Sequence, residues 1–297
     1  MTSQVLLIGS NGQLGSSIRD QQNLTNSKYK IFYADRNTID LSDLSSIDAF
    51  FSTNKFSIII NCAAFTNVDE AETEKELCDK VNNQAVQRIA YFARKHHSKF
   101  IHISTDYVFN GQSSHPYLES DNPIPINNYG LSKFLGEKSL IQKMNENAIV
   151  IRTGWLYSEF GKNFLKTMIR LAKDRDSISV VNDQIGTPTY AVDLAKAILK
   201  IIVTPSFLSD SFNSDILHYS NLGSASWYEF ASKIFEFSGI NITLKPIKSS
   251  EYEVAATRPK YTVLDNNKIQ QQFNLTINHW EDSLKDCIKK NKLKLLS

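Results

Sequence analysis

Cysteine is scarce in this 297-residue chain, which carries only Cys62, Cys78 and Cys287. The number is odd and no two stand at CxxC spacing, so neither a disulfide framework nor a zinc site follows. A reducing, cytoplasmic setting is the default. Long apolar runs are missing as well. The segment "FSIIINCAAF" (56–65) is too short to span a bilayer and contains Asn61. The chain begins at once with the strand-like "QVLLIG", without a basic region and a long apolar core, so no signal peptide is expected. An excess of charge is also lacking. With 33 basic and 31 acidic residues the formal charge is +2, which makes no electrostatic case for nucleic acid or an anionic membrane as partner. The short run "KKNKLK" (289–294) reads as a solvated tail. There is no internal repeat and no low-complexity segment.

What is present is the composition of an ordinary globular protein, 41% hydrophobic and 22% charged. The first half alternates short β-rich runs with helical patterns. "QVLLIG", "KIFYA" (30–34), "SIIINCA" (57–63), "KFIHIS" (99–104) and "AIVIRT" (148–153) read as strands. Helical stretches follow the first three, the third running from about Glu70 to His97. Near-continuous apolar strands alternating with amphipathic helices predict an α/β doubly wound parallel sheet, covered on both faces. After Thr153 the pattern loosens. Helices are expected at 162–173, 190–202, 226–237 and 279–290, and strands at 178–181, 217–221 and 242–247. The division is therefore a Rossmann domain at 1–153 and a second, smaller α/β substrate domain at 154–297, with a helix near 190–203 returning to the first. The stretch 203–215 reads as an exposed loop.

Three clusters carry chemistry. "GSNGQLG" places Gly9, Gly12 and Gly15 directly between a strand and a helix. A tight turn and close approach of a pyrophosphate both need glycine, and the helix N-terminus supplies aligned N–H dipoles. This points to nucleotide binding, with Asn11, Gln13 and Leu14 in the same turn. Next, Asp35 and Arg36 end the second strand. The acid suits the ribose hydroxyls of NAD and the arginine the 2′-phosphate of NADP. Asp40 and Leu41 follow as candidates for an adenine pocket, and Ser42 or Asp43 for a helix cap. Third, "STDYVF" (104–109) ends the fourth strand, where hydroxyls face the ligand crevice. About twenty-five residues later comes "NYGLSK", with Tyr129 and Lys133 four apart, one turn apart on one helix face.

Glycine turn, Ser/Thr and Y-x-x-x-K in this order resemble the extended short-chain dehydrogenase/reductase family. The branch of dTDP-4-dehydrorhamnose reductases is closer still. It is similar through "NCAAFTNVDEAE" (61–72), "STDYVFNG" (104–111), "YGLSKFLGE" (129–137), "IRTGWLY" (151–157), "NFLKTMIRLAK" (163–173), "VVNDQIGTPT" (180–189) and "TRPKYTVLD" (257–265). The resemblance implies reduction of the C4 keto group of a nucleotide-linked 4-keto-6-deoxyhexose, dTDP-4-dehydro-L-rhamnose, by NADPH or NADH. Tyr129 would give the proton, and Thr105 would hydrogen-bond the substrate oxygen and polarise the carbonyl. An unperturbed tyrosine has a pKa of about 10. A neighbouring Lys133 ammonium and the oxidised nicotinamide would both lower it, and Lys133 would also hold the nicotinamide ribose. Ala63, Ala64 and Phe65 would lie along the cofactor. Val68, Ser104, Asp106, Tyr107 and Trp155 would surround the sugar and base. Arg258 would order the substrate domain or meet the diphosphate.

Related dehydratases carry Thr-Asp-Glu where this chain reads Thr105-Asp106-Tyr107, which argues against elimination chemistry. A 4-epimerase uses the same Tyr and Lys and stays an alternative, as does a non-catalytic regulatory or binding subunit. Some relatives form a dimer bridged by magnesium through glutamates. The matching positions here hold Ser17 and Val192, with Asp193 one residue on. Magnesium prefers carboxylate oxygens, so no metal requirement is expected, and the protein is expected to be a monomer or a metal-independent dimer.

Overall fold

The computed structural model describes residues 3–25 and 28–296, with nothing said of the side chains at 292–294 and 296. Five strands arise where the apolar runs predict them: β1 (Ser3–Ile8), β2 (Tyr29–Ala34), β3 (Ile58–Asn61), β4 (Lys99–Thr105) and β5 (Ala148–Thr153). Between them run α1 (Gln13–Asp20), α2 (Leu44–Thr53), α3 (Lys75–Asp79), α4 (Ala85–Lys95) and α5 (Asn128–Lys143). Asp43, not Ser42, caps α2 by accepting the Ser45 N–H.

The large sheet has six strands, all parallel, and the sixth departs from the expected division. Strand Asp215–His218 pairs with β5 at the edge, ahead of β4, β3, β1 and β2. The strand expected at 217–221 in the second domain thus completes the first. Helix Ala191–Ile201 returns as well, and Leu194, Ala195 and Ile198 join Val5, Leu7 and Ile18 in the core on one sheet face. Leu6, Ile8, Ile59, Phe100 and Val150 fill the other face under α2, α4 and α5. The inner strands bury both faces, which is why β3 and β5 read as unbroken apolar runs, whereas β2 at the edge alternates half-buried and exposed residues.

Two other expectations change. The stretch 203–215 is not simply an exposed loop. It holds a short helix, Pro205–Leu208, and buries Phe207 and Phe212 against the core. The basic run at 289–294 belongs to the last helix, Trp280–Leu296, and is not a tail. A third core gathers the segments after 153, around Tyr157, Phe230, Ile234 and Trp280.

The helix expected from Glu70 to His97 is broken. A 3-10 turn at Glu70–Glu72 precedes α3, and a π-helical turn at Lys80–Gln84 joins α3 to α4. Such π turns recur at functional sites, and this one places Asn82 beside the cleft described next.

Candidate functional site

The carboxyl ends of the parallel strands open into a cleft with a cavity volume of about 1120 Å³. At one end is the glycine turn. Gly9 has φ +81°, a left-handed conformation costly for other residues. A Cβ on Gly15 would stand 2.2 Å from the Gly9 carbonyl oxygen, so the first turn of α1 closes only with glycine there. No side chain caps α1 at Gly12, which leaves its first N–H groups facing the cleft. The donor set and the free backbone approach fit a dinucleotide pyrophosphate. Gly9, Asn11, Gly12, Gln13 and Leu14 border the cleft, whereas Gly15 lies behind them. The Gln13 side chain is spent on a bridge to the later part of the chain: its oxygen accepts from Asn163 at 2.9 Å and from Ser158 at 3.2 Å.

Asp35, Arg36, Asp40 and Leu41 line the same end. One Asp35 oxygen accepts from the Asn37 and Thr38 amides, the other from the Asn11 side chain at 3.1 Å. Hydrogen bonds from Thr38 chiefly hold its carboxyl below the usual range. Arg36 is 78% exposed, within 3.6 Å of Asp40.

Ala63, Ala64, Phe65 and Val68 form one wall. Phe65 is gripped on both sides of its backbone by Asn82, whose oxygen accepts the Phe65 N–H at 2.9 Å and whose nitrogen donates to the Phe65 carbonyl at 3.0 Å. The same nitrogen lies 3.0 Å from the Ser132 hydroxyl on α5. Asn82 was invisible to pattern reading, because nothing in a helical stretch marks the residue that a π turn rotates inward.

At the centre stand Thr105, Tyr129 and Lys133. The Asn127 side chain caps α5 by accepting the Gly130 N–H at 2.8 Å, and Glu72 accepts the Asn128 N–H at 2.9 Å. The first turn of the helix is thereby fixed, and Tyr129 with it. The Thr105 hydroxyl lies near the Tyr129 phenol and lowers its pKa. Thr105 donates to Asp106 at 3.1 Å and accepts the Tyr107 N–H. Burial pushes Asp106 up to about 6. Lys133 is 1% exposed and donates to the Ile103 carbonyl at 2.6 Å.

The expected lowering of the Tyr129 pKa by Lys133 does not occur in this arrangement. Burial raises the phenol to about 12, outweighing the opposite effect of the nearby Thr105, and Lys133 is not among the groups that shift it. The Lys133 amine is turned toward the sheet and is itself lowered to about 8 by burial.

Two further candidates have partners within the chain. Ser104 borders the cleft, but its hydroxyl donates to Glu137 at 2.5 Å, away from any ligand. Arg258 does not line the cleft. Its guanidinium grips Asp69 with two bonds of 2.9 and 2.6 Å and holds the carboxyl down to about 2. This pairing ties the segment around 256–258 to the 66–72 segment. Tyr107 and Trp155 do line the cleft. Trp155 has φ +49°, an outlier for a bulky residue. Its ring is stacked on Trp227 with centroids 3.4 Å apart. Sequence reasoning missed Trp227, Lys162 and Thr153, which share this wall. The Thr153 hydroxyl is buried without a protein partner. Lys162 follows a glycine in "FGKN", a signal too common to single out.

Ser17 is buried on α1 and donates to the Gln13 carbonyl at 2.9 Å. Asp193 accepts from Asn221 at 3.0 Å and Ser283 at 2.5 Å, so its carboxylate is engaged within the chain. No helix among the described residues is long and apolar enough to cross a membrane.

Residues 3–293 match the RmlD substrate binding domain family. The chain is 36% identical over 290 residues to a dTDP-4-dehydrorhamnose reductase of Aggregatibacter actinomycetemcomitans, covering 96% of this chain and 98% of that one. It is 32% identical over 285 residues to a dTDP-4-keto-6-deoxy-D-glucose reductase of Streptomyces niveus, covering 96% of each. The crystal structure of dTDP-4-dehydrorhamnose reductase from Bacillus anthracis in complex with NADP superposes with a TM-score of 0.90 at 38% identity, over 98% of this chain and 100% of that one. With the glycine turn, the Tyr–Lys helix and a match along nearly its whole length, the chain belongs to the RmlD substrate binding domain family, that of the dTDP-4-dehydrorhamnose reductases.

Proposed function

We propose that this protein reduces the C4 keto group of a nucleotide-linked 4-keto-6-deoxyhexose, dTDP-4-dehydro-L-rhamnose to dTDP-L-rhamnose, with NADPH or NADH. The observation that carries this reading is the convergence of Thr105, Tyr129 and Lys133 on the cleft that also contains the glycine turn. The bound nicotinamide supplies the hydride. The chain's own residues hold the proton. A phenol raised to about 12 is fully protonated near neutrality, as a proton donor to a carbonyl oxygen must be. Thr105 donates a second hydrogen bond to that oxygen and gives up its bond to Asp106 to do so. Lys133 holds the nicotinamide ribose. Ala63, Ala64 and Phe65 flank the cofactor, and Asn82 keeps that wall in place. Val68, Asp106, Tyr107 and the stacked Trp155–Trp227 pair surround the sugar and base. The segments after 153 supply the sugar side of the cleft, while helix Ala191–Ile201 and strand Asp215–His218 complete the dinucleotide domain.

The reading is tested by assaying NADPH and NADH oxidation with several nucleotide-linked 4-keto-6-deoxyhexoses. Oxidation with none of them would sink it. Magnesium is expected to be dispensable: Ser17 offers no carboxylate, Val192 no ligand at all, and one Asp193 oxygen is engaged by Asn221 and Ser283. EDTA treatment should change neither turnover nor sedimentation. A dimer that dissociates on chelation, or activity that returns only with added magnesium, would contradict this.

Cofactor choice follows from the end of β2. Asp35 repels a 2′-phosphate, and the exposed Arg36 attracts it. Both cofactors are expected to serve, with modest preference. Arg36→Ala should raise the KM for NADPH selectively. A parallel rise in both KM values would mean that the arginine does not read the phosphate.

A further inference from the structure

Thr153 ends β5, is 6% exposed, and is used by no step above. Among the described residues it is the cleft-lining side chain whose buried oxygen finds no hydrogen-bond partner within the chain. A buried hydroxyl left unpaired costs stability, so it calls for a partner. Its position is fixed. Thr153 is the register partner of Thr105 in the parallel ladder of β5 and β4, so both side chains leave the same face of the sheet. On β5 it continues the row of Ile149 and Ile151, which packs under α1 and helix Ala191–Ile201. A β-branched side chain on a paired strand has little freedom at χ1.

The strand order says what reaches this hydroxyl. From its far edge the sheet runs β2, β1, β3, β4, β5. The cleft follows that order: Asp35 after β2, the glycine turn after β1, Ala63 after β3, Thr105 at the end of β4 and Thr153 at the end of β5. A dinucleotide with its adenosine ribose at Asp35 and its pyrophosphate on the glycine turn crosses these ends in one direction. Its nicotinamide ring then comes to Thr105 and Tyr129, and the next strand over is β5. The ring carbon beside the reacting one carries a carboxamide. That group offers an acceptor oxygen and a donor nitrogen, and a threonine hydroxyl can donate or accept, so the two match in either orientation.

We propose that the Thr153 hydroxyl is a cofactor-binding group that hydrogen-bonds the carboxamide of the nicotinamide ring and fixes the rotation of the ring about its bond to the ribose. The proposal deepens the reductase reading and rests on it for the identity of the ring. Neighbouring polar groups already have protein partners: Thr105 bonds Asp106 and the Tyr107 amide, Ser104 bonds Glu137, and Lys133 bonds the Ile103 carbonyl. Thr153 brings to the cleft a hydroxyl that gives up no bond within the chain on binding.

The test measures binding and unfolding of the full chain without any sugar substrate. Thr153→Val keeps the shape and removes the hydroxyl, whereas Thr153→Ser keeps the hydroxyl. Kd is measured for NADPH and for 2′-phospho-ADP-ribose, the same molecule without its nicotinamide. In Thr153→Val the Kd for NADPH should rise about tenfold, and that for 2′-phospho-ADP-ribose should stay unchanged. Thr153→Ser should bind NADPH as the wild type does. The ligand-free Val variant should unfold about 2–4 °C higher, because it no longer buries an unpaired hydroxyl. A merely structural role would not weaken cofactor binding while raising the stability of the free protein. An unchanged Kd for NADPH overturns the proposal, as does an equal rise for both ligands or a Ser variant as impaired as Val. A Val variant that is less stable than the wild type, or does not fold, shows the hydroxyl bonded within the chain and overturns it as well. Selective loss of NADPH affinity as expected, with no keto sugar reduced by the wild type, would overturn the reductase reading and leave the Thr153 contact intact.

Discussion

Tyr129→Phe is expected to lower kcat by about 10²–10⁴-fold, the range that a general acid supplies. Cofactor affinity should be nearly unchanged. The substitution removes one hydroxyl, keeps the ring that meets Tyr107 edge-on, and lies far from the Asp35–Leu41 end of the cleft. Thr105 keeps its bonds to Asp106 and to the Tyr107 amide. The fold should therefore survive, which makes the kinetic loss attributable to the missing proton. Lys133→Met should differ by weakening turnover and cofactor binding together. Steady-state kinetics and cofactor titration of both variants check this. A Phe variant retaining more than a tenth of wild-type kcat would remove Tyr129 from the role of proton donor.

The largest effect on stability is expected at Glu137. Its side chain is 1% exposed and that of Arg152 is 2% exposed. They meet through bonds of 3.0, 3.2 and 2.7 Å, and Ser104 adds a fourth. Arg152 also lies over the Phe109 ring and 3.4 Å from Nε2 of His218. Burial and the nearby guanidinium hold His218 down to about 3, so it is neutral; its Nδ1–H donates to the Tyr117 carbonyl and its Nε2 faces Arg152. This network joins α5 to three neighbouring strands of the sheet, including the late strand Asp215–His218. Glu137→Leu leaves a guanidinium buried without its counter-ion, which costs about 3–5 kcal/mol. Against a typical domain stability of about 5–15 kcal/mol, that approaches unfolding. The double variant Glu137→Leu/Arg152→Met should recover most of the loss, because a buried pair replaced by apolar groups is often neutral. Urea unfolding of the three proteins measures it. A loss of under about 1 kcal/mol in the single variant would show the pair to be solvated in solution.

Local pattern determined much of this protein. Inner strands buried on both faces must be apolar along their length, and "SIIINCA" and "AIVIRT" could be read as sheet from that alone. A glycine turn between strand and helix declares a phosphate cradle, since both the φ of Gly9 and the crowding at Gly15 are backbone demands that one residue type meets. Tyr129 and Lys133 share a helix face by their spacing. Tertiary structure decided what depends on distant partners. Strand Asp215–His218 became the sixth of the sheet because Phe207 and Phe212 pull its approach into the core, and four residues carry no periodicity strong enough to announce this. Ser104 turned to Glu137, and Arg258 to Asp69, because a buried or half-buried charge takes the partner that packing brings near, 33 and 189 residues away. The spacing of Tyr129 and Lys133 put them on one face, but burial, which no spacing announces, raises the phenol and lowers the lysine. Residue types and their local order set the elements; the charge state of a side chain is set by everything the fold folds around it.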